Sequence, residues 1–336
     1  LTLIVKWRIL YLKTVKNGGI KMGRILCGVD LGGTKISTGL VDEKGNIIRS
    51  TKIPTMAEKG PEEVIKRIEQ SVYDVLKEAG LKLSDLKGVG IGSPGPLDAK
   101  RGVVISPPNL PGWDNVPIVD ILSHKLGVKV KLENDANAAA IGEHLFGAGK
   151  GIDNFVYITV STGIGGGVII EGKLYSGENS NAAEIGHHTI NFNGPRCNCG
   201  NYGCFEAFAS GTAIARFAQE GIQNGKDTMI RDLAKDGVVK SEHVFEAAKL
   251  GDEFAKELVD NEAFYLGVGI SNIMAFYNPK KIAIGGGVST QWDMLYDKMM
   301  ETIKKKALKP NAEVCEVVRA ELGENVGVLG AAALLL

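Results

Sequence analysis

Apolar positions change their period along this chain, and each change marks an element. Runs rich in aliphatic and β-branched residues at 24–30 (RILCGVD), 36–42 (ISTGLVD) and 47–53 (IIRSTKI) predict three strands. The turn LGGTK and a Gly45-Asn46 pair separate them. From Pro61 the period becomes helical, with Val64, Ile65, Ile68, Val72 and Leu76 on one face and proline at a first-turn position. A buried strand at 86–92 feeds SPGPLD, and a Pro-rich loop, VVISPPNLPGW, ends at Trp113. A short helix at 116–126 precedes the strand VKVKLEND, which opens directly onto the Ala-rich helix ANAAAIGEHLFGAG. At 154–175 the opening pattern of strand, glycine turn and strand recurs, which predicts an internal duplication into two α/β lobes with a cleft between them. Residues 205–279 read as mostly helical, KIAIGGGVS as a buried strand ending in three glycines, and VGVLGAAALLL as a packed terminal helix too short to span a bilayer. The expected small lobe is 22–137 plus about 320–336, and the large lobe is 138–319 with a cysteine loop at 184–206.

Residues 1–21 differ in character from the rest of the chain. Five cationic residues are scattered among apolar ones, without the continuous apolar core or cleavage site of a signal peptide. Met22 directly precedes the first clean strand, and Asn-Gly-Gly-Ile-Lys before it can be encoded with a GGAGG ribosome-binding sequence. We therefore expect residues 1–21 to be an upstream extension and translation to start at Met22, which an intact mass including Leu1 would refute.

The totals narrow the function. With 336 residues the chain suits two domains, and 39 basic against 39 acidic residues leave no one-sided field for nucleic acid. Glycine, 44 of 336, is well above the usual ~7% and falls in short clusters, which suggests backbone approaching ligands. Of five cysteines, Cys27 and Cys315 lie in apolar runs and read as small core hydrophobes in a chain typical of a reducing cytoplasm.

The other three cysteines share one stretch, EIGHHTINFNGPRCNCGNYGCFE, from Glu184 to Glu206. It has too few apolar side chains to hold itself by burial. Zinc takes three thiolates and an imidazole in a closed tetrahedron and contributes folding energy outright, so Cys197, Cys199, Cys204 and His187 form a plausible set. Three unrelated thiols are the plain alternative. A disulfide fits worse, because Cys197 and Cys199 are too close for ordinary bridge geometry and one thiol would be left over.

Three glycine clusters carry further chemistry. In DLGGTK a strand delivers Asp30 to its tip, and the turn Gly32-Gly33-Thr34-Lys35 can form an anion nest or a plain hairpin. The second copy, STGIGGG at 161–167, favours the nest, because two such hairpins suit two ends of a polyphosphate; it is not a Walker loop, which continues into a helix. Gly285, Gly286 and Gly287 offer a third close approach, suited to adenine and ribose. Asp135, where a strand meets a helix, is a helix cap or, aimed into the cleft, a base that accepts a hydroxyl proton during phosphoryl transfer.

These residues carry a resemblance. LCGVDLGGTKI, ENDANAAAIGE, ITVSTGIGGG and above all the cysteine loop resemble the ROK family of repressors and sugar kinases, within it the ATP-dependent glucokinases, over essentially all of Met22 to Leu336. The resemblance implies a two-lobed actin-like ATPase (ribonuclease-H-like) α/β fold with a structural zinc loop. It implies ATP phosphates on Gly32, Gly33, Thr34, Lys35, Thr162, Gly163 and Gly165, with Asp30 helping to hold Mg2+. Asp135 is then the base for the sugar 6-hydroxyl, and Asn109, Asn134, Glu184, His187 and Glu206 fix the other hydroxyls. Zn2+ would sit on His187, Cys197, Cys199 and Cys204. The expected partners are a sugar and ATP, with no nucleic acid and no membrane, in a cytoplasmic homodimer or homotetramer. His188 departs from the apolar residue common at its position and is given no role. Only 29 residues precede Asp30, which weighs against a repressor with its DNA-binding domain; the serious alternative is another hexose, namely fructose, allose, mannose or an N-acetylhexosamine.

Overall fold

In the computed structural model, which describes residues 25–336, the first apolar run becomes strand β1 (Ile25–Leu31), buried along nearly its whole length. The hairpin continues as β2 (Lys35–Val41) and β3 (Ile47–Pro54), both antiparallel neighbours, so that Asp30 pairs with Ser37 and Leu31 with Ile36. Strand β4 (Leu86–Ser93) lies parallel to β1 on its other side, a small hairpin follows as β5 (Leu97–Asp98) and β6 (Val103–Val104), and β7 (Val130–Asn134) runs parallel to β4. The sheet order is therefore β3-β2-β1-β4-β7. One core is built around this sheet by the helix Pro61–Ala79, whose buried face includes Val64, Ile65, Ile68, Val72 and Leu76.

A pair of glycines brings the C-terminal helix, Val326–Ala333, onto the same sheet. Gly28 and Gly90 are register partners on β1 and β4. A Cβ at Gly28 would lie 2.0 Å from the Val328 carbonyl oxygen, and one at Gly90 would lie 1.8 Å from that of Ala331. The helix backbone rests directly on the strands, a contact that any side chain at either position would displace.

The second half repeats this plan. Strands β8 (Phe155–Val160), β9 (Ile164–Ile170) and β10 (Lys173–Leu174) form an antiparallel meander, and β11 (Lys281–Gly285) and β12 (Glu316–Arg319) add parallel strands on the far side, in the order β10-β9-β8-β11-β12. Position for position this is the topology of the first sheet, as the repeated strand, glycine turn and strand pattern predicts. The described chain forms two compact units, one ending at Asp135 and resumed from Gly327 to Leu336, the other Ala136–Val326. In the second unit the buried helix Glu253–Tyr277 packs on Trp292–Lys306 at Gly267, where an added Cβ would meet Thr302 Cβ at 2.5 Å.

The stretch 205–279 is mostly helical with two marked breaks, and the reading of Cys315 needs amendment. The helical stretch 205–219 is broken into Phe205–Phe208 and Gly211–Gln223, because Ser210 is extended and its side chain caps the Ala213 N–H. The long stretch 244–277 is likewise broken: Gly251 adopts φ +98° and Asp252 starts a new helix by accepting the Ala255 N–H. Cys27 is fully buried, with its thiol pushed up to about 12 by burial, whereas Cys315 is only half-buried at the margin of the second core. The expectations for residues 1–21 lie outside the described residues. Among the described residues no helix is long and apolar enough to cross a membrane.

Candidate functional site

In the first unit the parallel strands β1, β4 and β7 end at one edge of the sheet. Asp30 pairs with Gly92, Gly92 with Glu133, and Ser93 with Asn134, so Asp30 and Asn134 emerge along the same rim. Asp135 is exposed and is the first residue of the helix Asp135–Phe146, which leaves β7 without a connecting loop. Burial raises the Asp30 carboxyl, while the nearby Lys35 and Lys52 ammonium groups oppose that shift.

The turn after Asp30 is a hairpin held from behind. The Gly32 N–H donates to the Lys35 carbonyl at 3.0 Å; the buried Thr55 donates its N–H to Thr34 O at 2.9 Å and its hydroxyl to Gly32 O at 2.7 Å. Gly33 lies against Asn109, whose carbonyl oxygen would be 2.8 Å from an added Cβ. The glycine at 33 is thus required by its neighbour, and it brings the predicted Asn109 beside the predicted phosphate turn. Thr34 and Lys35 remain exposed.

In the second unit the cysteine loop closes on itself. The ligand atoms of His187, Cys197, Cys199 and Cys204 all lie within 4.8 Å of one another. Cys199 and Cys204 sulfurs are 3.7 Å apart, and Cys197 Sγ is 3.7 Å from His187 Nδ1. A tetrahedron with zinc–sulfur bonds of ~2.3 Å and zinc–nitrogen bonds of ~2.0 Å has edges of roughly 3.5–3.8 Å, so the donor set fits zinc in type, and these two separations fit it in size. Burial raises the Cys197 thiol and pushes that of Cys204 up to about 12, whereas the Asn201 N–H lowers that of the exposed Cys199. Gly203, at φ +70°, lets the loop fold back onto Asn191, whose carbonyl oxygen an added Cβ would meet at 1.7 Å. His188, outside the cluster, packs between Phe205, tilted at 5.4 Å, and Phe276, edge-on at 5.8 Å, and donates from Nδ1 to the Ile185 carbonyl.

The second glycine turn is tied to this loop. The Ser161 N–H donates to Gly163 O at 2.9 Å, and the Ile164 N–H donates to Glu206 Oε2 at 2.8 Å. A Cβ on Gly163 would be 2.2 Å from the same Glu206 oxygen, and one on Gly186, in the turn after the exposed Glu184, would be 2.1 Å from Ile164 O. Gly165 sits within β9, opposite Thr159. A cavity of about 560 Å³ opens beside the turn, lined by Ser161, Thr162, Thr212, Lys240, Gly287 and Gln291 among others. Of the three glycines at the end of β11 and just beyond it, only Gly287 reaches it: Gly285 is packed on the Tyr157 ring and Gly286 on the Val160 carbonyl. Thr212, Lys240 and Gln291 carry no signal in the sequence, since three separate elements supply them.

The chain is similar to known proteins over about nine-tenths of its length. The curated glucokinase of Thermotoga maritima is 41% identical over 311 residues, 92% of this chain and 96% of its own, and that of Halalkalibacterium halodurans is 39% identical over 305 residues, covering 90% and 92%. The crystal structure of a ROK family glucokinase from Streptomyces griseus in complex with glucose and AMPPNP superposes with a TM-score of 0.78 at 35% identity, covering 92% of this chain and 98% of that one. The model of the ROK family matches residues 26–336, so the strand and glycine hairpins, the END junction and the cysteine loop fall within one continuous match, and the chain belongs to the ROK family.

Proposed function

We propose that this protein is an ATP-dependent hexose kinase that phosphorylates glucose at its 6-hydroxyl. The sugar O6 forms a bond to the γ-phosphorus of ATP as the bond to the β,γ-bridging oxygen breaks; ADP leaves, and Asp135 accepts the hydroxyl proton. Such transfer needs little covalent help from the protein, so the residues act by positioning and by excluding water. Gly32, Gly33, Thr34, Lys35, Thr162, Gly163 and Gly165 hold the phosphates, and the cavity at Gly287 takes the nucleoside. Asp30 would hold Mg2+, which when bound neutralises phosphate charge; one carboxylate plus phosphate oxygens is a usual ligand set for that ion. Asn109, Asn134, Glu184, His187 and Glu206 bind the remaining sugar hydroxyls. Zinc would have a structural role, with all four positions filled by protein.

The observation that carries this reading is the strand-to-helix junction at Asn134-Asp135, which presents an exposed carboxylate on the rim shared with Asp30. The test is ADP release measured across glucose, mannose, fructose, allose and N-acetylhexosamines, with metal analysis of the same sample. Glucose should give the highest kcat/KM. A different preferred hexose would reassign the substrate, and sugar binding without ADP release would favour a regulator over a kinase.

A further inference from the structure

The turn Ser161–Ile164 is held by a single short segment that begins at Cys204, the last cysteine of the loop. Ile164 N–H donates to Glu206 Oε2 at 2.8 Å; Ser161 O accepts the Gly211 N–H at 2.8 Å; Thr162 O accepts both the Thr212 N–H at 3.2 Å and the Thr212 hydroxyl at 2.7 Å. The segment is stiff. Cys204 precedes the helical turn Phe205–Phe208, Ser210 caps the next helix, and Phe205 is fully buried against Gly269. From the other end of the loop, Gly186 abuts Ile164 O. The loop that ends in Cys204 therefore adjoins the turn both before and after its metal ligands.

We infer that the Cys/His clasp sets the nucleotide turn through the segment Cys204–Thr212, which makes Glu206 and Thr212 positioning residues for the nucleotide. This rests on the kinase reading. With the clasp closed, Cys204 fixes the start of the short helix, and Glu206 on its next turn holds the Ile164 N–H. When the clasp opens, that anchor is released and the turn loses the order in which it meets phosphate. Loss of zinc should then weaken nucleotide binding in the absence of sugar, an effect a clasp serving only the sugar would not have. It also explains Gly163 as a residue that must leave room for Glu206.

The test measures AMPPNP·Mg2+ affinity by calorimetry without sugar, together with hydrogen exchange at the Ile164 amide. The samples are the zinc-loaded protein, the same protein after chelation, and zinc-loaded Glu206→Ala, Glu206→Gln and Thr212→Val. Chelation and Glu206→Ala should each weaken nucleotide binding about tenfold, the effect of losing one hydrogen bond to a charged group, and should speed Ile164 exchange. Glu206→Gln keeps an oxygen for the amide and should bind within about twofold of the unaltered protein, while Thr212→Val should weaken binding several-fold. Unchanged affinity and exchange after chelation would overturn the inference. If chelation or Glu206→Ala unfolds the chain, unchanged values for folded, zinc-loaded Thr212→Val would do so. Failure of the zinc-loaded, unaltered protein to bind AMPPNP would remove the kinase reading and this inference with it.

Discussion

Glu143 offers the sharpest test of how the helix beginning at Asp135 is held. Its side chain is fully buried, and its carboxylate accepts three backbone N–H groups: Leu322 at 2.8 Å, Ala148 at 2.9 Å and Glu321 at 3.2 Å. One carboxylate thus fastens the helix Asp135–Phe146 to the segment that precedes the C-terminal helix. Truncation to alanine removes two short charge-assisted bonds and one long one and leaves their donors without that acceptor. Charged hydrogen bonds contribute about 1.5–3 kcal/mol and an orphaned buried donor costs about 1–3 kcal/mol. Removing the cost of burying the carboxylate, with water entry into the vacated space, offsets part of this. We expect Glu143→Ala to destabilise the second unit by roughly 3–5 kcal/mol, a large share of the ~5–15 kcal/mol typical of folded domains. Gly147 supplies the control. A Cβ there would lie 2.2 Å from Glu143 Oε2 and 2.9 Å from its Cδ, so Gly147→Ala should displace the same carboxylate. With Glu143 already truncated that clash is absent, and the second substitution should cost much less. Urea unfolding of the two single variants and the double variant measures the coupling, expected at about 2 kcal/mol. Costs that add to within ~0.5 kcal/mol, or a Glu143→Ala loss below ~1 kcal/mol, would refute this account.

Asp135→Ala should lower kcat by at least ~10²-fold, the low end for loss of a general base, while glucose binding by calorimetry persists; near-normal turnover would remove Asp135 from that role. Cys199→Ser should lower zinc content and sugar affinity together, and full activity in the zinc-free protein would contradict a structural metal. Glu262 is fully buried, neither of its carboxyl oxygens has a hydrogen-bond partner among the described residues, and burial raises it well above the usual carboxylate range. A folded-state value above the unfolded one of about 4.3 means that its contribution is fully present below that pH and is lost as pH rises through the folded value. Glu262→Gln should therefore flatten the fall in urea midpoint between pH 5 and 8; an unchanged slope would show that Glu262 does not titrate in this range.

How much of this was legible along the chain depended on the range of the interaction. The period of Val64, Ile65, Ile68, Val72 and Leu76 is local, and it specified a buried helix face without any knowledge of its partner. The repeated glycine-bent hairpin likewise announced two sheets of one topology, and the crowding of thiols and an imidazole between Glu184 and Glu206 announced a cluster of donors that could hold a metal, because ligands close in sequence need little help from the fold to meet. Glycine was harder to interpret, since its absent side chain says that something approaches but not what. Gly33 faces Asn109, Gly163 faces Glu206, Gly285 faces Tyr157, and Gly28 with Gly90 receive a helix from the far end of the chain. The strand Glu316–Arg319, which pairs with Lys281–Ile284, and the cavity that gathers Thr212, Lys240 and Gln291 rest on contacts between distant segments, whereas the breaks at Ser210 and Gly251 are local caps hidden within an apolar helical period. Sequence by itself determined most of the elements, the duplication and the donor set, because each is written in neighbouring residues; only the tertiary structure decided the strand Glu316–Arg319, which backbone each glycine admits and which segment braces the second turn, because those depend on long-range packing.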